Sequence, residues 1–194
     1  MPGRRPDPLL LMRRRVVCLT VTALLAALGV VLLWVGSLFE IMDLTTVFVV
    51  SLLSLFVLLE LGAGWAVLLW AVTSTLSLLL LHNKFCALEY ALFGGVYPLV
   101  KYYAERLPRL FAWIVKIAGF NLLFGAVIGL MIRFFGVEDL TLPVVGRLGT
   151  GAYIALAFVL GNLCFLIYDW LLTRFRPLYM ERLHPRVSRF LDRR

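Results

Sequence analysis

The chain has 194 residues, of which 62% are hydrophobic and 15% charged, against roughly 25% charged in an average soluble domain. That leaves too little polar surface to cover a soluble body of this size. It excludes an ordinary soluble enzyme, a disordered chain and a coiled coil, and leaves an all-α integral membrane protein. The net charge of +8 is concentrated at the ends: residues 1–15 carry +4, residues 173–194 carry +5, and everything between carries −1. Two basic tails on a near-neutral apolar body are explained by the positive-inside effect and by attraction to anionic lipid, without a nucleic-acid partner.

Stretches able to cross ~30 Å of hydrocarbon need about 20 helical residues. Residues 16–39 form the first such run, too long for the apolar core of a cleaved signal peptide. Glu40 to Asp43 makes a short acidic break. Residues 44–59 form the second span, closed by Glu60, and Gly62-Ala63-Gly64 makes the turn, because glycine tolerates the positive φ of a tight connection. Residues 65–81 are the third span. Residues 85–100 are the fourth; they are short and contain Glu89, Gly94, Gly95 and Pro98, which predicts a kinked or partly re-entrant helix. A polar link over 101–109 leads to the fifth span, 110–133. The loop carrying Glu138, Asp139 and Pro143 follows, then the sixth span, 148–172. Residues 173–194 read as an Arg-rich amphipathic segment lying on the membrane surface. The expected organisation is a basic tail (1–15), a six-helix transmembrane domain (16–172) and a second basic tail (173–194), in the cell membrane with both termini cytoplasmic.

A charged group at bilayer depth costs at least ~2.5–3.5 kcal/mol, so each one needs a partner or a purpose. The fifth and sixth spans run antiparallel in this topology. Asn121 lies five residues beyond Lys116, and Asn162 seven residues before Asp169. At ~1.5 Å per residue these offsets are similar, which sets Lys116 opposite Asp169 and Asn121 opposite Asn162. The ladder reads first as interhelical glue, and second as a proton or ion relay. Toward the outer side lie Trp34, Glu40, Asn83, Lys84, Glu89 and Tyr90. They are candidates to bind a small polar ligand in an outward-facing cavity, or else form an interfacial belt of aromatic and charged groups.

Small residues mark close helix approaches: Gly125 with Gly129, Thr73 with Ser77, and Ala23 with Ala27. Cys18, Cys86 and Cys164 read as small apolar residues in helices. His82 and His184 have no metal-ligand spacing, so no metal site is expected. Nucleophile elbow, phosphate loop and paired acid/base carboxylates are missing, so no enzyme activity and no cofactor are expected.

The first span, with Thr22-Ala-Leu-Leu-Ala-Ala-Leu-Gly29 after a basic N-terminus, resembles the opening helix of the substrate-binding S components of energy-coupling factor transporters. Length and span count agree with that bacterial family of six-helix proteins. The segment from Asn83-Lys84 to Tyr97-Pro98-Leu-Val-Lys101 is similar to stretches of uncharacterised bacterial membrane proteins of the same type. The resemblance implies that Ala23 and Ala27 form the face that docks a transmembrane coupling subunit with its ATPases. It also implies a subunit that captures a small, vitamin-type molecule for uptake, although no riboflavin, thiamine, biotin or folate signature is present. The alternative is a small membrane scaffold or interaction protein with no transported ligand.

Overall fold

A computed structural model describes residues 8–39, 43–135 and 149–182; Glu40 and the 138–147 loop fall outside them. The described residues are helical throughout their regular structure. The elements are α1 (Pro8–Ser37), α2 (Asp43–Glu60), α3 (Ala63–Leu80), α4 (Lys84–Glu89), a π-helical turn (Tyr90–Gly94), α5 (Tyr97–Ala104), α6 (Arg109–Phe135) and α7 (Gly149–Arg182). Among the described residues, four helices are long and apolar enough to cross a membrane: Met12–Ser37, Ala63–Leu80, Arg109–Leu130 and Ile154–Glu181. Leu44–Glu60 is apolar but shorter. Large apolar side chains stand outward on all of the long helices, among them Leu24, Leu79, Leu122 and Val159. Such surfaces call for a lipid or protein covering.

The chain divides into two compact units, Met1–Leu99 and Val100–Arg194. In the first, α1, α2 and α3 pack on one another and enclose α4 and the π-helical turn. The inward stripe of α1 is Thr22, Ala26, Val30 and Leu33, at the three- and four-residue spacing of one helix face. Its Leu33 joins Val47 and Val50 of α2 in a core cluster with Leu81, Cys86, Ala87 and Tyr90, and Val57 of α2 and Ala66 and Leu69 of α3 are buried as well. Some hydroxyls within the apolar helices bond their own backbone, as where Thr22 Oγ1 donates to the Cys18 carbonyl at 2.7 Å. Gly62 ends α2 with φ +98°, the left-handed conformation that the glycine-rich turn predicts.

The fourth predicted span is broken into three pieces. α4 is capped at its start by Asn83, whose side-chain oxygen accepts from Phe85 N at 3.0 Å. The π-helical turn then shifts the hydrogen-bond register, and Gly95 N donates to the Tyr90 carbonyl, five residues back, at 2.8 Å. The Ala91 carbonyl is instead met by Trp70 Nε1 of α3 at 2.8 Å. Gly94 and Gly95 sit where neighbouring helices come closest: a Cβ on Gly94 would lie 2.5 Å from Val47 Cγ1, and one on Gly95 would collide with the Trp70 indole. Pro98, the second residue of α5, stands where a helix has no partner for its N–H.

In the second unit, α6 and α7 pack as an antiparallel pair. Phe120 stacks on Phe165 with ring centroids 4.6 Å apart, and Phe124 meets Phe158 edge-on at 5.3 Å. Gly161 gives Phe124 room, since a Cβ there would come within 2.9 Å of the ring. The expected close approach at Gly125 and Gly129 is looser. A Cβ on Gly125 would be in ordinary contact with Phe158, and one on Gly129 would meet nothing within 4 Å. The aromatic pairs fill this interface, so glycine makes room for a ring at 161 and not for a backbone at 125 and 129. α7 runs on past residue 172 as one helix, through Pro177 to Arg182. Thr173 Oγ1 donates to the Asp169 carbonyl at 2.7 Å on the way.

Candidate functional site

The second unit holds a buried ionic cluster assembled from three helices. Asp169 on α7 lies one face-repeat before Thr173 and two before Arg176, so all three point the same way. Lys116 stands seven residues into α6, about 10 Å along its axis from Arg109. Lys101 is on α5, with Glu105 just beyond the end of that helix.

The structure brings Lys116 to Asp169, with Nζ 3.0 Å from Oδ1 and 3.4 Å from Oδ2. It also brings Asn121 to Asn162, whose amides bond reciprocally at 3.0 and 2.9 Å. Both amides donate a further bond to their own helix, to Ile117 O and Phe158 O. The sequence reading did not place Lys101 here. Its ammonium donates to Asp169 Oδ1, to the Asp169 carbonyl at 3.1 Å and to Thr173 Oγ1 at 2.7 Å. Lys101, Lys116 and Asp169 are each more than nine-tenths buried.

Glu105 extends the cluster toward the surface. Its Oε1 lies 3.2 Å from Lys101 Nζ and 3.8 Å from Lys116 Nζ, and its Oε2 lies 3.0 Å from the half-exposed guanidinium of Arg176. Lys101 lies outside the four long helices. Burial pushes its ammonium below the usual lysine range, against the opposite pull of the Asp169 hydrogen bond and charge. Three cations and two carboxylates thus form one connected network, in which every charge has an opposite neighbour. Removing one member exposes the others to the cost of an unpaired charge in low dielectric.

The structure places the outer-side candidates in different surroundings. Trp34 is exposed on α1. Asn83 caps α4. Lys84 Nζ donates to the Leu78 and Leu81 carbonyls at 2.8 and 2.7 Å, closing the C-terminal end of α3. Tyr90 is fully buried, its hydroxyl 3.1 Å from Ser54 Oγ. Glu89 is half-buried beside it in the chain, and Glu40 lies outside the described residues. Ser51 and Ser54 of α2 and Thr73 and Ser77 of α3 are buried hydroxyl-bearing residues of the first unit. The two α2 serines were not singled out from the sequence, where isolated serines in an apolar helix carry no positional signal.

Ala23 and Ala27 are exposed on α1, beside Leu24, Leu28 and Val31, whereas Ala26 belongs to the core. Among the described residues, Cys18, Cys86 and Cys164 form no disulfide. Comparison of the chain with family models, with curated proteins and with solved structures finds no match.

Proposed function

We propose that the protein is a multi-pass membrane subunit of S-component type, which docks a partner membrane protein through the outward face of α1 at Ala23 and Ala27. The observation that carries this reading is the orientation of that pair: both methyl groups stand on the surface of the first unit, flanked by apolar side chains. A helix laid on this face can approach closely, because neither side chain extends beyond a methyl group. In this reading the chain crosses the cell membrane six times with both termini cytoplasmic. α2 makes a short second span, and the segment broken at Tyr90–Gly94 makes the fourth. A coupling subunit with associated ATPases is the partner implied for a transporter subunit, and a small polar molecule is its cargo.

A second reading, a membrane scaffold without cargo, is favoured by one specific observation. Asn83, Lys84 and Tyr90 are occupied by caps and core hydrogen bonds. Docking is common to both readings; cargo divides them.

The test is the double substitution Ala23→Trp and Ala27→Trp in the full chain, with membrane partners recovered from native membranes by affinity purification and thermal stability measured in detergent. Unchanged stability with loss of a partner supports docking. Unchanged partners, or collapse of the fold, contradicts it. Mass spectrometry of small molecules retained by the wild-type protein separates transporter subunit from scaffold.

A further inference from the structure

The ionic cluster of the second unit opens to the surface at one end, and that end carries a surplus of positive charge. Arg109 is the first residue of α6 and shares the face of Lys116, seven residues on. Arg176 lies seven residues beyond Asp169 on α7. The ion-paired network of this column holds three cations, Lys101, Lys116 and Arg176, and two carboxylates, Asp169 and Glu105, and Arg109 on the α6 face raises the cations to four. Asp169 is enclosed and engaged by both lysines. Glu105 is more exposed, lies on the turn after α5 and is shared among Lys101, Lys116 and Arg176. A carboxylate held by three cations marks a place where an oxyanion is stable. Arg109 adds a further exposed cation on the α6 face of this column.

The surroundings select the kind of oxyanion. Next to this opening, Arg106 bonds the Tyr102 hydroxyl at 2.8 Å and lies over the Tyr102 and Tyr103 rings. Trp113 lies beneath Lys116 Nζ. Exposed Leu110, Phe111 and Ile114 follow directly on α6. Cations and aromatic groups beside a fully apolar surface are the composition of a bilayer's headgroup level. A phospholipid arriving there presents a phosphate to the arginines and its chains to the apolar helix face.

We propose that the end of the Lys101–Lys116–Asp169 cluster marked by Glu105, Arg109 and Arg176 is a binding site for the phosphate of an anionic phospholipid, with Glu105 as a built-in competitor for the same cations. The non-ester oxygens of a phosphodiester accept the guanidinium N–H groups in the paired geometry that arginine presents. The net surplus of cations in the column favours a lipid with net negative charge over a zwitterionic one. The site depends on the chain's being embedded in a bilayer, and not on docking through α1, so failure of either leaves the other standing.

The experiment is native mass spectrometry of the full chain in detergent micelles doped with equal amounts of phosphatidylglycerol and phosphatidylcholine. Wild-type protein is expected to retain phosphatidylglycerol in preference. Each arginine near the membrane surface contributes about 1 kcal/mol to such binding, about fivefold in affinity. The double substitution Arg109→Gln and Arg176→Gln should therefore weaken it about 25-fold. Arg133→Gln, in the last turn of α6, should leave it unchanged. Glu105→Gln should strengthen retention about fivefold by removing the competing carboxylate. That variant keeps the proposal testable if the double substitution impairs folding. Equal retention of the two lipids by the wild type would overturn the site. So would a loss in Arg133→Gln as large as in the double variant, or weaker binding in Glu105→Gln.

Discussion

Asp169 is the residue on which the second unit's ionic cluster turns, because it is the common acceptor for two lysines. This asymmetry gives an ordered expectation. Asp169→Leu leaves Lys101 and Lys116 with only Glu105 between them, and should cost about 3–5 kcal/mol, the range for breaking a buried ion pair. Lys116→Met leaves Asp169 still bonded to Lys101, and should cost less, about 1–2 kcal/mol. Adding Asp169→Leu to Lys116→Met should recover part of the summed loss, since it removes the two members of one contact. Chemical denaturation in detergent, arranged as a double-mutant cycle, measures this. Strict additivity, or a larger loss for Lys116→Met than for Asp169→Leu, would show that the two do not share a network.

At the scale of elements, two joints decide the architecture. The first is the break between α4 and α5, where Trp70 supplies the donor that the π-helical turn takes from Ala91. Trp70→Phe keeps an aromatic ring but removes the indole N–H and strands that carbonyl, and should destabilise the first unit by about 1–3 kcal/mol. Gly95→Ala should do so as well, by driving a methyl group into the indole. Thermal unfolding of each variant in detergent is the measurement. Stability within error of the wild type for both would mean that the turn is not held in this way. The second joint is the amide pair of Asn121 and Asn162, for which Asn162→Leu should cost only ~0.6–2 kcal/mol, since each amide also bonds its own helix.

These two joints also show where the sequence was legible. Lys116, Asn121, Asn162 and Asp169 lie on two long helices, so counting residues at a constant rise was enough to match their levels. The glycines and proline of residues 94–98 marked a break, because no regular helix through closely packed neighbours accommodates them without a reason. Lys101 escaped notice for the complementary reason. It follows Pro98 on a helix of eight residues, and its direction is set by the preceding turn and not by any periodicity. Read along the chain it was one cation in a polar link; in space it is among the most buried charged residues described. Residue type and approximate depth mark the outer-side candidates but do not reveal that Lys84 bonds the carbonyls at the end of α3.

For the whole molecule, the apolar surfaces of the long helices are compatible with a bilayer around them, and the proposed arrangement sets the basic ends on one side of it and the acidic breaks on the other. The depth of the Lys101–Lys116–Asp169 cluster, the lipid site at its opening and the outward α1 face all take their meaning from it. The most direct measurement is the sidedness of reporter fusions placed at Arg194 and within the 138–147 loop of the full chain. Six spans with cytoplasmic termini predict opposite sides, the Arg194 reporter cytoplasmic and the loop reporter outside. The same side for both would contradict the account, because α7 would then not cross the membrane between them.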